Sequence, residues 1–345
     1  MNQLQQRLTE QGDFLHLSRT QPELLDTPID LTLANGTGVR VTAPGIIQFS
    51  AAKHQGKDIV LSCGVHGNET APIEICDDLV RALLTGELET CQRVLVLFGN
   101  LPAMDIGERF VEENMNRLFS GAHSDTPGLV NDERRRAKQL EQSIADFYAQ
   151  GNEQGQNYRC HYDLHTAIRA SKNEKFAVYP YRHGKPWKTE QLQFLLACGV
   201  NTILLSNGPT TTFSYYSSNE FDADAFTVEL GKVRPFGQND MTRFEKARQT
   251  LTALVSQAEL SFPAYNPDDF HIYEVNQVIN RTKEDFRLNF ADDTPNFTDY
   301  PKGTVLAEEP GATYVAEQDG EAIVFPNAKV ALGQRALLTV VPTTI

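Results

Sequence analysis

From residue 57 onward the chain alternates short apolar runs with longer amphipathic stretches, which restricts it to folds where helices cover a central β-sheet. DIVLSCG (58–64) reads as a buried strand. In the stretch that follows, Ile73, Cys76, Leu79, Val80, Leu83 and Leu84 recur at helical spacing, and Gly86 supplies a stop. RVLVLFGN forms a second strand. Residues 101–130 have no periodicity and hold glycine, proline and several charges, as a loop over a site does. A helix is predicted over about 131–150, then strands at YRCHYDLH, FAVYP, TILLS and AFTVEL, and a long amphipathic helix over 240–257. The fold class expected is α/β, a mixed sheet flanked by helices. Beyond FPAYNPDD the chain is rich in Val, Thr, Gly and Pro without helical period, which predicts a smaller β-rich domain. The division expected is a catalytic α/β domain over 1–264 and a β domain over 265–345. In residues 1–50 only one or two strands stand out, DLTLA and GVRVTAPGIIQF.

With 345 residues, 40% of them hydrophobic, the chain can close one large core and a smaller second one. A net charge of −14 argues against nucleic acid or an anionic membrane face as partner, so an anionic substrate must meet local arginines. The five cysteines (Cys63, Cys76, Cys91, Cys160 and Cys198) are odd in number and widely spaced, and read as buried, reduced thiols. A polar amino terminus without a signal-peptide pattern and apolar runs too short to span a bilayer lead to an expected cytoplasmic location.

Four groups of residues carry candidate chemistry. His66-Gly67-Asn68-Glu69 lies between a predicted strand and helix, where sites collect in α/β sheets. A histidine and a glutamate three residues apart face one ion if the chain turns sharply, and Gly64 and Gly67 permit such a turn. Asp163-Leu164-His165 ends another strand, with residues 163 and 165 on the same face. Two histidines and one carboxylate form a usual catalytic zinc set with an open fourth position, although His165 alone reads more readily as a structural histidine, and Asp163 reads either as the partner that orients a ligand histidine or as an ordinary buried, hydrogen-bonded carboxylate. Glu229, closing the largely apolar strand AFTVEL, reads either as a solvated strand end or as a general base. Arg109 and Asn114-Met115-Asn116-Arg117-Leu118-Phe119 lie in the non-periodic loop, where arginines either meet solvent or clamp carboxylates through paired hydrogen bonds.

These residues resemble the succinylglutamate desuccinylase and aspartoacylase family of zinc carboxypeptidase-like enzymes. The landmarks stand in order as GVHGNE (64–69), the arginine of ERF (Arg109), NMNRLF (114–119), DLHT (163–166) and VELG (228–231). The resemblance implies one Zn2+ per chain on His66, Glu69 and His165, with Glu229 as catalytic base. It also implies that Arg109 polarises the scissile carbonyl and that Asn116 and Arg117 hold the carboxylate at the far end of the acyl chain. Aspartoacylases look as though they carry an arginine ten residues before the base, where this chain has Asn219. Recognition of the amino-acid side therefore falls to others, with Arg169, Arg182 and Tyr215 as candidates. The resemblance points to hydrolysis of N-succinyl-L-glutamate to succinate and glutamate in bacterial arginine catabolism. The alternatives are an aspartoacylase-like hydrolase of another N-acyl amino acid and a non-catalytic binding protein of the same fold. The partner expected is a small anionic N-acyl amino acid, and a homodimer is allowed.

Overall fold

A computed structural model describes residues 3–152 and 157–345. Its centre is a set of four neighbouring parallel strands, in spatial order Arg93–Phe98, Lys57–Cys63, Tyr158–Ala167 and Asp224–Lys232. Their apolar runs are continuous because both faces are covered. Ile59, Leu61, Val94 and Val96 pack with Ile73, Cys76, Val80 and Leu83 of the helix Thr70–Thr85. Val60, Leu95 and Leu97 point the other way, onto Ala137, Leu140, Ile144 and Phe147 of the helix Asp132–Asn152. The chain leaves Lys57–Cys63 toward one neighbour and returns as Tyr158–Ala167 on its other side. Connections that part in opposite directions leave a crevice at the carboxyl ends of these strands, and His66 and His165 lie there.

The predicted strands and the helix ending at Gly86, which has φ +77°, are present. Several expectations are corrected. The supposed loop over 101–130 begins with a helix, Leu101–Ile106, capped by Asn100 Oδ1, which accepts from the Ala103 amide at 3.2 Å. The rest of that segment is fixed by side chains of the helix Asp132–Asn152. Glu133 Oε1 accepts from the amides of Val111 and Glu112, and Arg134 pairs with Glu113 at 2.7 Å. The 240–257 helix is split into a 3-10 turn, Met241–Phe244, and an α-helix, Glu245–Ser256. The first fifty residues contain the helices Gln3–Gln11 and Phe14–Thr20 besides three strands, and Thr189–Ala197 and Phe213–Phe221 are further helices that no periodicity announced. Four of the cysteines are buried and Cys91 is half-buried, and all five are unpaired. Among the described residues no helix is long and apolar enough to cross a membrane.

The C-terminal β region continues the main sheet. His271–Asn280 pairs in parallel with Thr202–Leu205 and then antiparallel with Arg335–Pro342, so among the described residues thirteen strands share one sheet, with a separate three-stranded sheet besides. This junction brings the loops of the β region over the crevice.

Two glycines set the shape of the metal-motif turn. Gly64 has φ +64°, as the sharp turn requires. Gly67 serves differently from the expected backbone freedom: a Cβ there would lie 2.1 Å from the Ala103 carbonyl carbon, so the turn lies flat against the helix Leu101–Ile106. Gly67→Ala is expected to destabilise the protein by about 1–3 kcal/mol, the usual range for overpacking, because the obstacle is backbone. Thermal unfolding of the variant checks this, and an unchanged Tm contradicts it.

Candidate active site

His66, Glu69 and His165 meet at the end of the parallel strands, all three nearly fully buried. One donor atom from each falls within 4.8 Å of the others. His66 Nε2 donates to Asn114 Oδ1 at 2.9 Å, which turns Nδ1 inward to a point 2.9 Å from Glu69 Oε1. The geometry there does not make a hydrogen bond, so Nδ1 is a buried nitrogen without a partner. His165 is turned the same way: Nε2 pairs with Asp163 Oδ2 and Nδ1 faces Glu69 Oε2, each at 2.8 Å. Two inward Nδ1 atoms and a carboxylate, with both outer nitrogens held by oxygen, form the donor set of a divalent-metal site. The residues present thus fit a metal ion.

The electrostatics divide the two histidines: His66 is neutral, whereas His165 holds a proton that a metal ion would replace. Burial, with Arg109 nearby, lowers His66 to about 4, leaving the imidazole neutral as a ligand must be. Burial opposes a charge on His165, but Asp163 and Glu69 outweigh it and raise its pKa well above the usual value. Burial works against the charge on Glu69 too; the two histidines overcome it and keep the carboxylate ionised. Arg109 Nη1 donates to Glu69 Oε1 at 2.7 Å, and the Thr166 amide donates to Oε2 at 3.0 Å.

Behind His165 runs a chain of buried polar groups. Asp163 Oδ1 accepts from Ser62 Oγ at 2.5 Å, Ser62 Oγ lies 2.8 Å from His161 Nε2, and His161 Nδ1 lies 2.7 Å from Ser217 Oγ. Burial lowers His161 to about 4, so it is neutral, with one nitrogen to donate and one to accept. Asp163 was anticipated in this supporting position; Asn114, Ser62 and His161 were not. The signal for Asn114 lay in the NMNRLF motif, whereas Ser62 and His161 look in sequence like ordinary strand residues.

Glu229 stands opposite His165 in the register of neighbouring strands. Its carboxyl group is buried, and Oε2 has no hydrogen-bond partner. Burial, reinforced by the charge of Glu69, pushes its pKa up to about 7. His66, Glu69, Asn114, His165 and Glu229 line a cleft of about 720 Å³, together with Arg109, Asn116, Arg117, Arg169 and Arg335. Asn116 Oδ1 is occupied by the Phe213 amide, at 3.2 Å, and Arg117 Nη1 donates to the Asn116 carbonyl. A larger hollow of about 890 Å³ near Tyr158, Lys188 and Asp224 contains none of the metal-motif residues.

The three residues considered for the amino-acid side are dispersed. Arg169 lines the cleft, with its guanidinium donating to the carbonyls of Thr294 and Pro326. Arg182 is buried against Asp224 and the Tyr179 ring, away from the cleft. Tyr215 also lies outside the cleft lining, because the helix Phe213–Phe221 directs its hydroxyl to His183 Nε2, at 3.0 Å, and to Asn219.

The sheet thus carries a two-histidine, one-carboxylate cluster at the carboxyl ends of its parallel strands, and loops of the C-terminal β region close over it. The family profile described as succinylglutamate desuccinylase/aspartoacylase catalytic domain matches residues 55–255, and the AstE/AspA barrel-sandwich hybrid domain matches residues 268–343. The chain belongs to the succinylglutamate desuccinylase/aspartoacylase family. It is 58% identical to the succinylglutamate desuccinylase of Pseudoalteromonas atlantica, an alignment covering 98% of this chain and 96% of that one. The enzyme of the same name from Idiomarina loihiensis is 54% identical, with 96% of each chain covered. Among solved structures, the succinylglutamate desuccinylase of Chromobacterium violaceum superposes with a TM-score of 0.83 at 40% identity, covering 96% of this chain and 98% of that one.

Removing the carboxylate behind His165 tests the supporting shell. Asp163→Asn is expected to weaken divalent-metal affinity about 10- to 100-fold, as loss of an outer-shell partner usually does. Titration of the metal-stripped protein with Co2+ as spectroscopic probe measures it, and unchanged affinity contradicts the assignment.

Proposed function

We propose that this chain hydrolyses the amide bond of N-succinyl-L-glutamate to succinate and L-glutamate, with one zinc ion held by His66, Glu69 and His165. The observation that carries the reading is the inward-facing Nδ1–Nδ1–carboxylate set beside Glu229, a buried carboxyl with an unsatisfied oxygen, in a cleft that also presents Arg109, Arg117, Arg169 and Arg335. High identity over nearly the full length to enzymes named for this substrate supports the choice of acyl group.

When bound, zinc supplies Lewis acidity, which acidifies water and polarises a carbonyl. The chain's own residues do the rest. Glu229 Oε2, free of other partners, takes a proton from the attacking water and returns it to the departing amino group of glutamate. Its burial keeps that proton affinity near neutrality, between the two transfers. Arg109, on the rim of the cluster, offers its guanidinium to the oxygen that becomes negative as the amide carbon turns tetrahedral. Asn116, whose side-chain carbonyl is already engaged, presents its amide –NH2 to the cleft, and with Arg117 it holds a substrate carboxylate. Residues 1–264 carry this chemistry and 265–345 close the cleft. The five unpaired cysteines suit the cytoplasm, where the succinyl branch of arginine breakdown uses such an activity.

Release of free glutamate from N-succinyl-L-glutamate, measured beside N-acetyl-L-aspartate with a chelator control, tests the proposal. Chelator-sensitive turnover that favours the succinyl compound is expected; preference for acetylaspartate overturns the substrate, and chelator-resistant turnover overturns the metal. Glu229→Gln is expected to lower kcat by roughly 10²- to 10⁴-fold while metal content per chain stays unchanged. Parental activity in that variant removes Glu229 from the mechanism.

A further inference from the structure

Arg335 opens the last long strand, Arg335–Pro342, where its backbone pairs with Asn280 at the end of the strand His271–Asn280. Although it belongs to the β region, its side chain lines the same cleft as His66 and Glu229. The guanidinium lies 5.6 Å from the centroid of the Phe325 ring. Phe325 has φ +54°, an unusual backbone conformation for a bulky residue, and is held there by its amide hydrogen bond to the buried Asn296 Oδ1, at 2.9 Å. The strain thus serves to set an aromatic plate beside a cation.

What Arg335 lacks is an anion. Its Nε is buried with no hydrogen-bond partner, and among the described residues no carboxylate forms an ion pair with it or with Arg117. Of the carboxylates lining the cleft, Glu69 is engaged by Arg109 and the two histidines and Glu113 by Arg134, while Glu112 and Asp292 form no ion pair with Arg335 or Arg117 among the described residues. Burial depresses Arg335 to about 9, with the charge of nearby Arg117 adding to the effect, and Arg117 is itself lowered to about 10 by burial and by Arg109. Two desolvated guanidinium groups near one another, in a chain of net charge −14, are tolerated at a place built to receive a negative group. An aromatic plate behind a guanidinium leaves its fork free for the two oxygens of a carboxylate.

We infer that Arg335, reaching in from the C-terminal β region, pairs with Arg117 to bind one carboxylate of the substrate and so makes that region part of substrate selection. The inference rests on the proposed reading of the cleft as the site of N-succinyl-L-glutamate, whose three carboxylates need more cations than Arg117 supplies once Arg109 serves the scissile carbonyl. It also explains why the β region continues the main sheet: a specificity residue has to be held at a fixed distance from the reacting atoms.

Steady-state kinetics of Arg335→Gln decide the matter when four substrates are compared: N-succinyl-L-glutamate and three analogues, each with a different carboxylate replaced by its primary amide. For the parent compound KM is expected to rise about 10- to 100-fold, the worth of hydrogen bonds to a charged group, with kcat nearly kept. For one analogue, the one lacking the carboxylate that Arg335 meets, the substitution should add almost nothing, and this identifies the group. A uniform effect on all four substrates, or none, overturns the inference. Calorimetric titration with succinate and with L-glutamate reads the same subsite without turnover. Weakened binding of one of them supports the role of Arg335 even if N-succinyl-L-glutamate proves not to be the substrate, and unchanged binding of both overturns it. Arg335→Lys keeps the charge and the stem over Phe325; should the Gln variant fail to fold, the same pattern at smaller amplitude is expected from it, and a parental profile contradicts the pairing.

Discussion

A carboxylate buried as deeply as Glu69 is costly to keep charged, and the architecture around it is largely an answer to that cost. Its two oxygens are shared among His66, His165, Arg109 and the Thr166 amide. These partners come from three segments, so the glutamate ties together the turn after one strand, the end of its neighbour, which supplies both His165 and the Thr166 amide, and the loop that carries Arg109. The three donor atoms are disposed so that a divalent cation could be shared by the carboxylate and both inward nitrogens. The buried chain Asp163–Ser62–His161–Ser217 does for His165 what Asn114 does for His66: it fixes the outer nitrogen so that the inner one has a single orientation.

Around that centre the charges are divided by function. Glu229 sits next to the ligands with its proton affinity raised by burial, while the arginines occupy the outer cleft. The loop that bears them has little regular structure of its own, yet it is pinned by Glu133 and Arg134 from the helix beneath. Such pinning matters because guanidinium groups discriminate among carboxylates only when their forks are held in place. Arg335 joins them from the C-terminal β region, carried by strands that continue the sheet.

The parallel centre of the fold was legible in the sequence because strands buried on both faces write themselves as unbroken apolar runs, and Thr70–Thr85 because its apolar stripe and terminal glycine agree. Phe213–Phe221 was not, since FSYYSSNEF has no amphipathic period; its helix is fixed by burial of Phe213 and Ser217 against the sheet. At the site, His66, Glu69 and His165 stand out as a set because a turn and a strand end each place ligand types where metals bind. Asn114 was visible within a motif but without a partner, and Ser62 and His161 are indistinguishable from neighbouring strand residues until the register places them side by side. Arg335 lies beyond any motif, and only the folding of the β region over the cleft gives it a role.

The most direct test of the metal centre is a crystal of the zinc-loaded protein measured at the zinc absorption edge. One anomalous peak is predicted, about 2.0–2.2 Å from His66 Nδ1, His165 Nδ1 and a Glu69 oxygen, with Glu229 outside the coordination sphere. A peak on the Nε2 atoms, coordination by Glu229, or zinc bound elsewhere in the chain would contradict the account.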